Sequence, residues 1–188
     1  MSFIHLRTAS AYSLKYGTTQ PRDLVARASE LEMPALALTD RDGLAGAIRF
    51  TKACVEYGIA PIIGINLPIR IGDTSGVLPR VTVLAHGDGG WRSLVRLYTG
   101  LQMNSADRTA ILTPELLEKF SQYTSNLHLL HGPESPVSQA LATYRFDMAL
   151  DIFNQTRDLF ADHAIECVSH LVGGNGPRST AHAARSLI

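Results

Sequence analysis

Cysteine is nearly absent from this chain. Cys54 and Cys167 are the two in 188 residues, far apart and in no CxxC pair. Both read as buried thiols, which fits a reducing cytoplasm rather than a disulfide framework. Charge of one sign is lacking as well: 17 Lys and Arg balance 17 Asp and Glu. No global positive field therefore marks a stand-alone nucleic-acid binder, although DNA contact through a neighbouring domain stays open. No apolar run approaches the ~18 residues of a membrane span. The N-terminus has no basic region followed by an apolar stretch, so no secretory signal is expected and the cytoplasm is the expected location. Repeats and low-complexity segments are missing. "HGDGGW" carries no Walker lysine, and no G-x-S-x-G elbow surrounds Ser10 or Ser13. What is present is a globular composition, 45% hydrophobic and 18% charged, in a length that suits one domain or most of a larger one.

The first 70 residues alternate in type. "FIHL" reads as a short strand, and "TTQPRDLVARASELEM" as an amphipathic helix with Thr18 or Thr19 as N-cap and Pro21 in its first turn. "ALALT" is a compact buried strand. "LAGAIRFTKACVEYG" is a second helix, with Leu44, Ile48, Ala53 and Val55 inward and Gly58 as C-cap. "IAPIIGINLPIR" is a third strand. This β-α-β-α-β rhythm implies right-handed crossovers and a largely parallel sheet or barrel. After the break "IGDTSGVLPR", "VTVLA" is a fourth strand, "HGDGG" a turn, and "WRSLVRLYTGLQM" a helix with Trp91 packed at its start. Thr113, Pro114 and Glu115 mark a further helix start. "LHLLHG" is the fifth strand, residues 135–160 hold two helices, "AIECVSHLV" is the sixth strand, and a Gly/Pro turn leads into a final helix. That helix ends without a C-cap or closing strand, so the chain reads as one α/β domain over residues 1–188, cut before its final strand or strands, with no second domain.

Chemistry in parallel α/β folds collects at the carboxyl ends of strands. The polar residues expected there are His5, Arg7 and Ser10; Thr39, Asp40, Arg41 and Asp42; Asn66; His86 and Asp88; His131; and His170. Asp40, His5, His131 and His170 are the side chains that could converge on a divalent metal. Arg7 and Arg41 oppose this, because a guanidinium cannot shed its proton to ligate.

The order of these pieces resembles the PHP (polymerase and histidinol phosphatase) domain of bacterial DNA polymerase III α subunits, and within it the error-prone branch. "FIHLRTASAYSLKYGTTQPRDLVARASELEMPALALTDRDGLAGAIRFTKACVEYGIAPIIGI" is similar to a family pattern of the form vHLHtHSxYSllDGa…ALAlTDhgnlfGav.F…GIkPIiGxE. "VTVLAHGDGGWRSLVRLYT", "NLHLLHGPESPVSQAL" and "RDLFADHAIECVSH" resemble later family segments. The spacing of "PALALTD…G…F…GI.PI.G" is specific.

The resemblance implies an α/β fold: a distorted, TIM-like parallel (βα) barrel of the PHP type, incomplete at the C-terminus. It also places the family's metal ligands. The HxH pair falls on Arg7 and Ala9, the aspartate of "DG" on Tyr16, the histidine after "TD" on Arg41, and the glutamate of "GxE" on Asn66. A histidine opening the next strand corresponds to Arg80, a cysteine after "SG" to Pro133, and the last Asp-x-His lies beyond Ile188. Asp40, beside the ligand set, survives. The expectation is a dismantled metal site, no catalytic residues and no cofactor in this domain, with Mg implied only for a parent polymerase. The parent would be a DNA-directed DNA polymerase (a nucleotidyltransferase) acting in replication, repair or translesion synthesis. Its polymerase domains would be this domain's partners, DNA would be reached through the parent, and no membrane would be involved. A stand-alone phosphoesterase of the histidinol-phosphatase kind and an inert interaction module are the alternatives. Two expectations concern the mouth itself. Asp40 should pair with Arg7 or Arg41, and Arg7, Asp40, Arg41 and Asn66 could form a vestigial anion pocket.

Overall fold

A computed structural model of the chain describes residues 3–72, 76–105, 108–160 and 162–166. Its centre is a five-stranded mixed sheet in the order β1-β2-β3-β4-β5: β1 is Ala35–Leu38, β2 Ala60–Pro68, β3 Arg80–Ala85, β4 Leu127–His131 and β5 Asp162–Ile165. β1 and β2 run parallel, as do β4 and β5. The two central ladders, β2 with β3 and β3 with β4, are antiparallel, so the sheet is less uniformly parallel than the βαβαβ rhythm implied. Among the described residues no helix intervenes between Pro68 and Arg80. A strand that returns without a crossover helix pairs antiparallel, since a parallel return needs a dozen or more residues, usually helical.

Helix α1 (Pro21–Glu30) starts on Pro21, whose fixed φ suits the first turn; its N-cap is Gln20, without a side-chain cap bond, rather than Thr18 or Thr19. Helix α2 (Ala47–Tyr57) ends on Gly58 at φ 70°, the left-handed cap expected there. Its buried face is Ala47, Phe50, Ala53 and Cys54, whereas Ile48 and Val55 are exposed. Phe50 carries more apolar area than either, and turning it inward rotates Ile48 and Val55 to solvent. These two helices pack on each other and on β1 and β2, over a core of Val25, Ala28, Leu36, Leu38, Phe50, Cys54 and Ile59.

Helix α3 (Gly87–Met103) incorporates "HGDGG" as its cap and first turn; Trp91 is 40% exposed rather than packed at the start. Leu94, Leu97 and Leu101 bury its inner stripe against Val81, Val83 and Leu129 in a larger core. Thr113 caps α4 (Pro114–Lys119), accepting from the Leu116 amide, as its sequence signature predicted. A 3₁₀ segment (Ser121–Asn126) precedes β4, and α5 (Pro136–Ala142) with α6 (Phe146–Arg157) fills the interval to β5. The sixth-strand expectation falls partly on β5; Cys167, His170 and the final helix lie outside the described residues.

The segment "FIHL" is not a strand, and Leu6 lies in a bend. The carbonyls of His5 and Thr8 accept from Ala37 and Thr39 amides at 2.9 and 2.8 Å, alongside β1. Two such bonds do not make a ladder, yet they deliver Arg7 to the carboxyl end of the sheet.

Candidate functional site

The loop after that segment is built around one buried carboxylate. Asp40, 2% exposed, accepts three hydrogen bonds: from Ser10 N at 2.6 Å, Ser10 Oγ at 2.8 Å and Ser13 Oγ at 2.7 Å. Ser10 and Ser13 are themselves fully buried, and Ser13 Oγ accepts in turn from the Arg41 amide at 2.9 Å. Loop 10–17 is thereby tied to the end of β1. Gly17 closes the loop where no side chain fits, because a Cβ there would collide with the Ser10 carbonyl group. Gly17→Ala is expected to cost about 1–3 kcal/mol, the range for overpacking against an unyielding neighbour; urea denaturation checks it, and an unchanged midpoint would count against this loop geometry.

The arginines choose other partners. Arg41 Nη2 donates to both carboxylate oxygens of Glu134 at 2.7 Å, and its guanidinium carbon lies 3.6 Å from the centre of the Tyr16 ring. Arg7 Nε donates to Glu166 Oε1 at 3.1 Å, with Nη1 3.9 Å from Glu134. Arg80 Nη2 reaches Asp42 at 2.7 Å and the Asn66 carbonyl at 2.8 Å, while its Nε donates to Asn66 Oδ1 at 2.6 Å. The expected pairing of Asp40 with Arg7 or Arg41 is therefore wrong. Two serine hydroxyls and an amide satisfy the buried carboxylate locally, and Glu134 and Glu166 compete successfully for the guanidinium groups. Asn66 is fixed from both sides: its Nδ2 donates to Thr82 Oγ1 and the Val81 carbonyl, and its backbone bridges to Arg41. Asp42, at φ 58°, keeps its left-handed turn through its amide to the Asn66 carbonyl and its own carbonyl from Tyr98 OH at 2.7 Å. An aspartate tolerates that conformation at low cost.

Arg7, Ala9, Tyr16, Arg41 and Asn66 thus meet, with Thr39, around a cavity of about 100 Å³ at the carboxyl ends of β1 and β2. Asp40 lies behind it and is not among the lining residues. The histidines go elsewhere. His5 packs edge-on to Phe3, and His86 edge-on to His128. His131 is fully buried, 3.3 Å from Thr156 Oγ1 and stacked with His163. Among the described residues no three His, Cys, Asp or Glu side chains converge as a metal-binding group. Sequence reasoning missed Glu134 and Glu166. Glu166 directly follows β5 and Glu134 lies three residues past the end of β4, the same kind of position that drew attention to His131 and His170.

The chain belongs to the PHP domain family, whose model matches residues 5–170. Its relatives are named as polymerases. It is 39% identical over 132 residues to an error-prone DNA polymerase of Corynebacterium efficiens, covering 70% of this chain and 12% of that one. It is 34% identical over 140 residues to the DNA polymerase III α subunit of Buchnera aphidicola, covering 74% and 12%. A third relative, an error-prone DNA polymerase of Symbiobacterium thermophilum, is 39% identical over 108 residues, covering 57% and 9%. The chain thus spans 12%, 12% and 9% of the length of these relatives, matching a segment of each larger protein. Among solved structures, a Bifidobacterium adolescentis protein described as a metal-dependent phosphoesterase is similar at TM-score 0.47 and 16% identity, over 98% of this chain and 83% of that one. Among the described residues no helix is long and apolar enough to cross a membrane.

Proposed function

We propose that this chain is a non-catalytic PHP domain of a DNA polymerase III α-type protein of the error-prone branch, with a degenerate metal site and a structural role in bracing the parent's polymerase domains. The observation that carries the reading is the cavity lining. Arg7, Ala9, Tyr16, Arg41 and Asn66 stand where the family resemblance puts metal ligands, and they surround one small space. That donor set does not fit a divalent cation. Guanidinium groups stay protonated and repel it, alanine offers nothing, and a metal site needs neutral imidazoles and carboxylates to offset its charge. The nearby carboxylates Glu134 and Glu166 are already engaged by Arg41 and Arg7. Without a metal to lower the pKa of a bound water, hydrolysis of a phosphodiester has no activated nucleophile. The domain then needs no cofactor; Mg belongs to the parent's polymerase centre. DNA is contacted through the parent, in the cytoplasm.

Two measurements test this. Protein dialysed against Zn²⁺ or Mn²⁺ and then desalted is expected to hold well under one metal per chain by elemental analysis. It is also expected to release no nucleotide from single-stranded DNA and no phosphate from a generic ester above background. Stoichiometric metal with turnover lost on Asp40→Ala would overturn the reading. For the structural role, removing the domain from the full-length parent polymerase should lower the thermal stability of the remainder; an unchanged melting temperature and polymerase rate would refute the bracing function.

A further inference from the structure

Arg7 and Arg41 line the 100 Å³ cavity together, and neither spends all its donors on the glutamates. Arg41 uses Nη2 on Glu134 and the face of its guanidinium on Tyr16, while Nε and Nη1 make no hydrogen bond among the described residues. Arg7 uses Nε on Glu166, while neither Nη makes a hydrogen bond among those residues. Each guanidinium is therefore held in place by a carboxylate on one edge, and among the described residues its other donors make no hydrogen bond. Both side chains are 23% exposed, so the charges are only partly solvated. Neither glutamate nor Asp40 is among the lining residues, which are two cations with Ala9, Tyr16, Thr39 and Asn66. At about 30 Å³ per water, the space holds roughly three waters, or one tetrahedral oxyanion in their place. Fork-shaped, preoriented guanidinium groups are the side chains best matched to such an oxyanion.

The cavity opens beside a larger one, about 420 Å³, which shares Tyr16 and Arg41 and adds Tyr12, Leu14, Lys15, Gly43, Arg80 and Asp42, the last already paired with Arg80. Leu14 is 86% exposed and Tyr16 53%. A small cationic seat thus lies next to a wider vestibule carrying cationic, aromatic and aliphatic side chains. Aromatic and cationic side chains together suit a nucleotide: the rings offer stacking faces to a base and the cations meet its backbone.

From this geometry we infer a phosphate-monoester site in which Arg7 and Arg41 hold the terminal phosphate and the vestibule takes what is attached to it. The inference is separate from the polymerase assignment, because a failure to bind phosphate would leave the metal and bracing tests untouched. Inorganic phosphate and the phosphorylated end of a nucleic-acid strand share this chemistry, and the test distinguishes them.

The experiment titrates the intact 188-residue chain with sodium phosphate, and with sodium chloride at matched ionic strength, following thermal unfolding. A 5′-phosphorylated tetranucleotide and its unphosphorylated twin are titrated in the same way. Phosphate should raise the melting temperature in a saturable way that chloride does not, as expected of a ligand that binds the folded state. Tighter binding of the phosphorylated oligonucleotide than of inorganic phosphate identifies the strand end as the ligand; equal binding identifies free phosphate. Arg7→Gln and Arg41→Gln should each weaken binding about tenfold, the loss of a charge-assisted fork. Glu134→Gln should strengthen it by freeing Arg41. This last variant, with the wild-type phosphate and chloride arms, decides the matter if the arginine variants fail to fold. Equal effects of phosphate and chloride overturn the site, as do equal binding of the two oligonucleotides or undiminished binding in a folded Arg7→Gln variant.

Discussion

Asp40→Ala is expected to destabilise the chain by about 3–5 kcal/mol in urea denaturation, close to the loss of a buried, hydrogen-bonded charge network. The carboxylate receives two hydroxyls and one amide at 2.6–2.8 Å, all from residues with no exposure. Removing it leaves the Ser10 amide and two hydroxyl protons without their acceptor in a place water does not reach. Each orphaned donor costs about 1–3 kcal/mol, and the hydroxyls recover part of this by rotating. The amide cannot rotate, so its loss sets the floor. Asp40→Asn keeps one acceptor oxygen but turns an NH₂ toward a donor, and it should fall between wild type and alanine. The damage should be local in its first stage: faster amide exchange and protease cleavage in loop 10–17 before global unfolding. A destabilisation below about 1 kcal/mol, typical of an exposed polar contact, would mean that Asp40 does not organise the loop.

The difference between an ion-paired and a hydroxyl-capped Asp40 also measures how far the sequence can be read. The family resemblance implied that residues 7, 9, 16, 41 and 66 share one site, and they line one mouth with Asp40 behind it. The choice of partners was not legible. A carboxylate at a strand end has several donors within reach, and which one wins depends on angles that spacing does not encode. Ser10 and Ser13 won through a tight turn in which the Gly17 and Tyr16 amides both donate to the Ser13 carbonyl. Glu134 and Glu166 come from the far side of the sheet, so their contacts with Arg41 and Arg7 span 93 and 159 residues. Local pattern has no access to such pairs. Elements with their own punctuation were legible: Pro21 opening α1, Gly58 closing α2, Thr113 capping α4. The direction of β3 was not, since hydrophobic periodicity is the same for a strand read either way. The orientation of α2 slipped for a related reason. Ile48 and Val55 fit an apolar stripe, but Phe50 and Cys54 fit a neighbouring one, and the core selected the latter.

The second large effect concerns acid. His131 ends β4, is fully buried, and packs on the rings of Phe153 and His163. Its Nε2 lies 3.3 Å from Thr156 Oγ1, and its Nδ1 has no hydrogen-bond partner among the described residues. Protonating it would bury a charge and add an N–H with no acceptor among the described residues. Burial, aided by the nearby His163, accordingly pushes its pKa down to about 4 from the ordinary 6.5. The unfolded chain then binds the proton more readily than the folded one, so stability falls as pH falls. The contribution is complete above the unfolded value, declines below about pH 6.5, and levels off once pH passes under the folded value near 4. At 1.36 kcal/mol per unit, the loss between neutral pH and pH 4 is about 3 kcal/mol. Carboxylates titrate in the same window, so the isolating measurement is a difference between two proteins. His131→Leu keeps an apolar side chain of similar bulk, and Thr156 Oγ1 keeps its bonds to the Ile152 and Phe153 carbonyls. Urea unfolding of both proteins from pH 7.5 to 4 should give curves that diverge below about pH 6.5, with wild type losing about 3 kcal/mol more than the variant by pH 4. Parallel curves would place the proton elsewhere. A wild type that lost less than the variant would mean that His131 gains a partner on protonation, contrary to the buried, unpaired Nδ1.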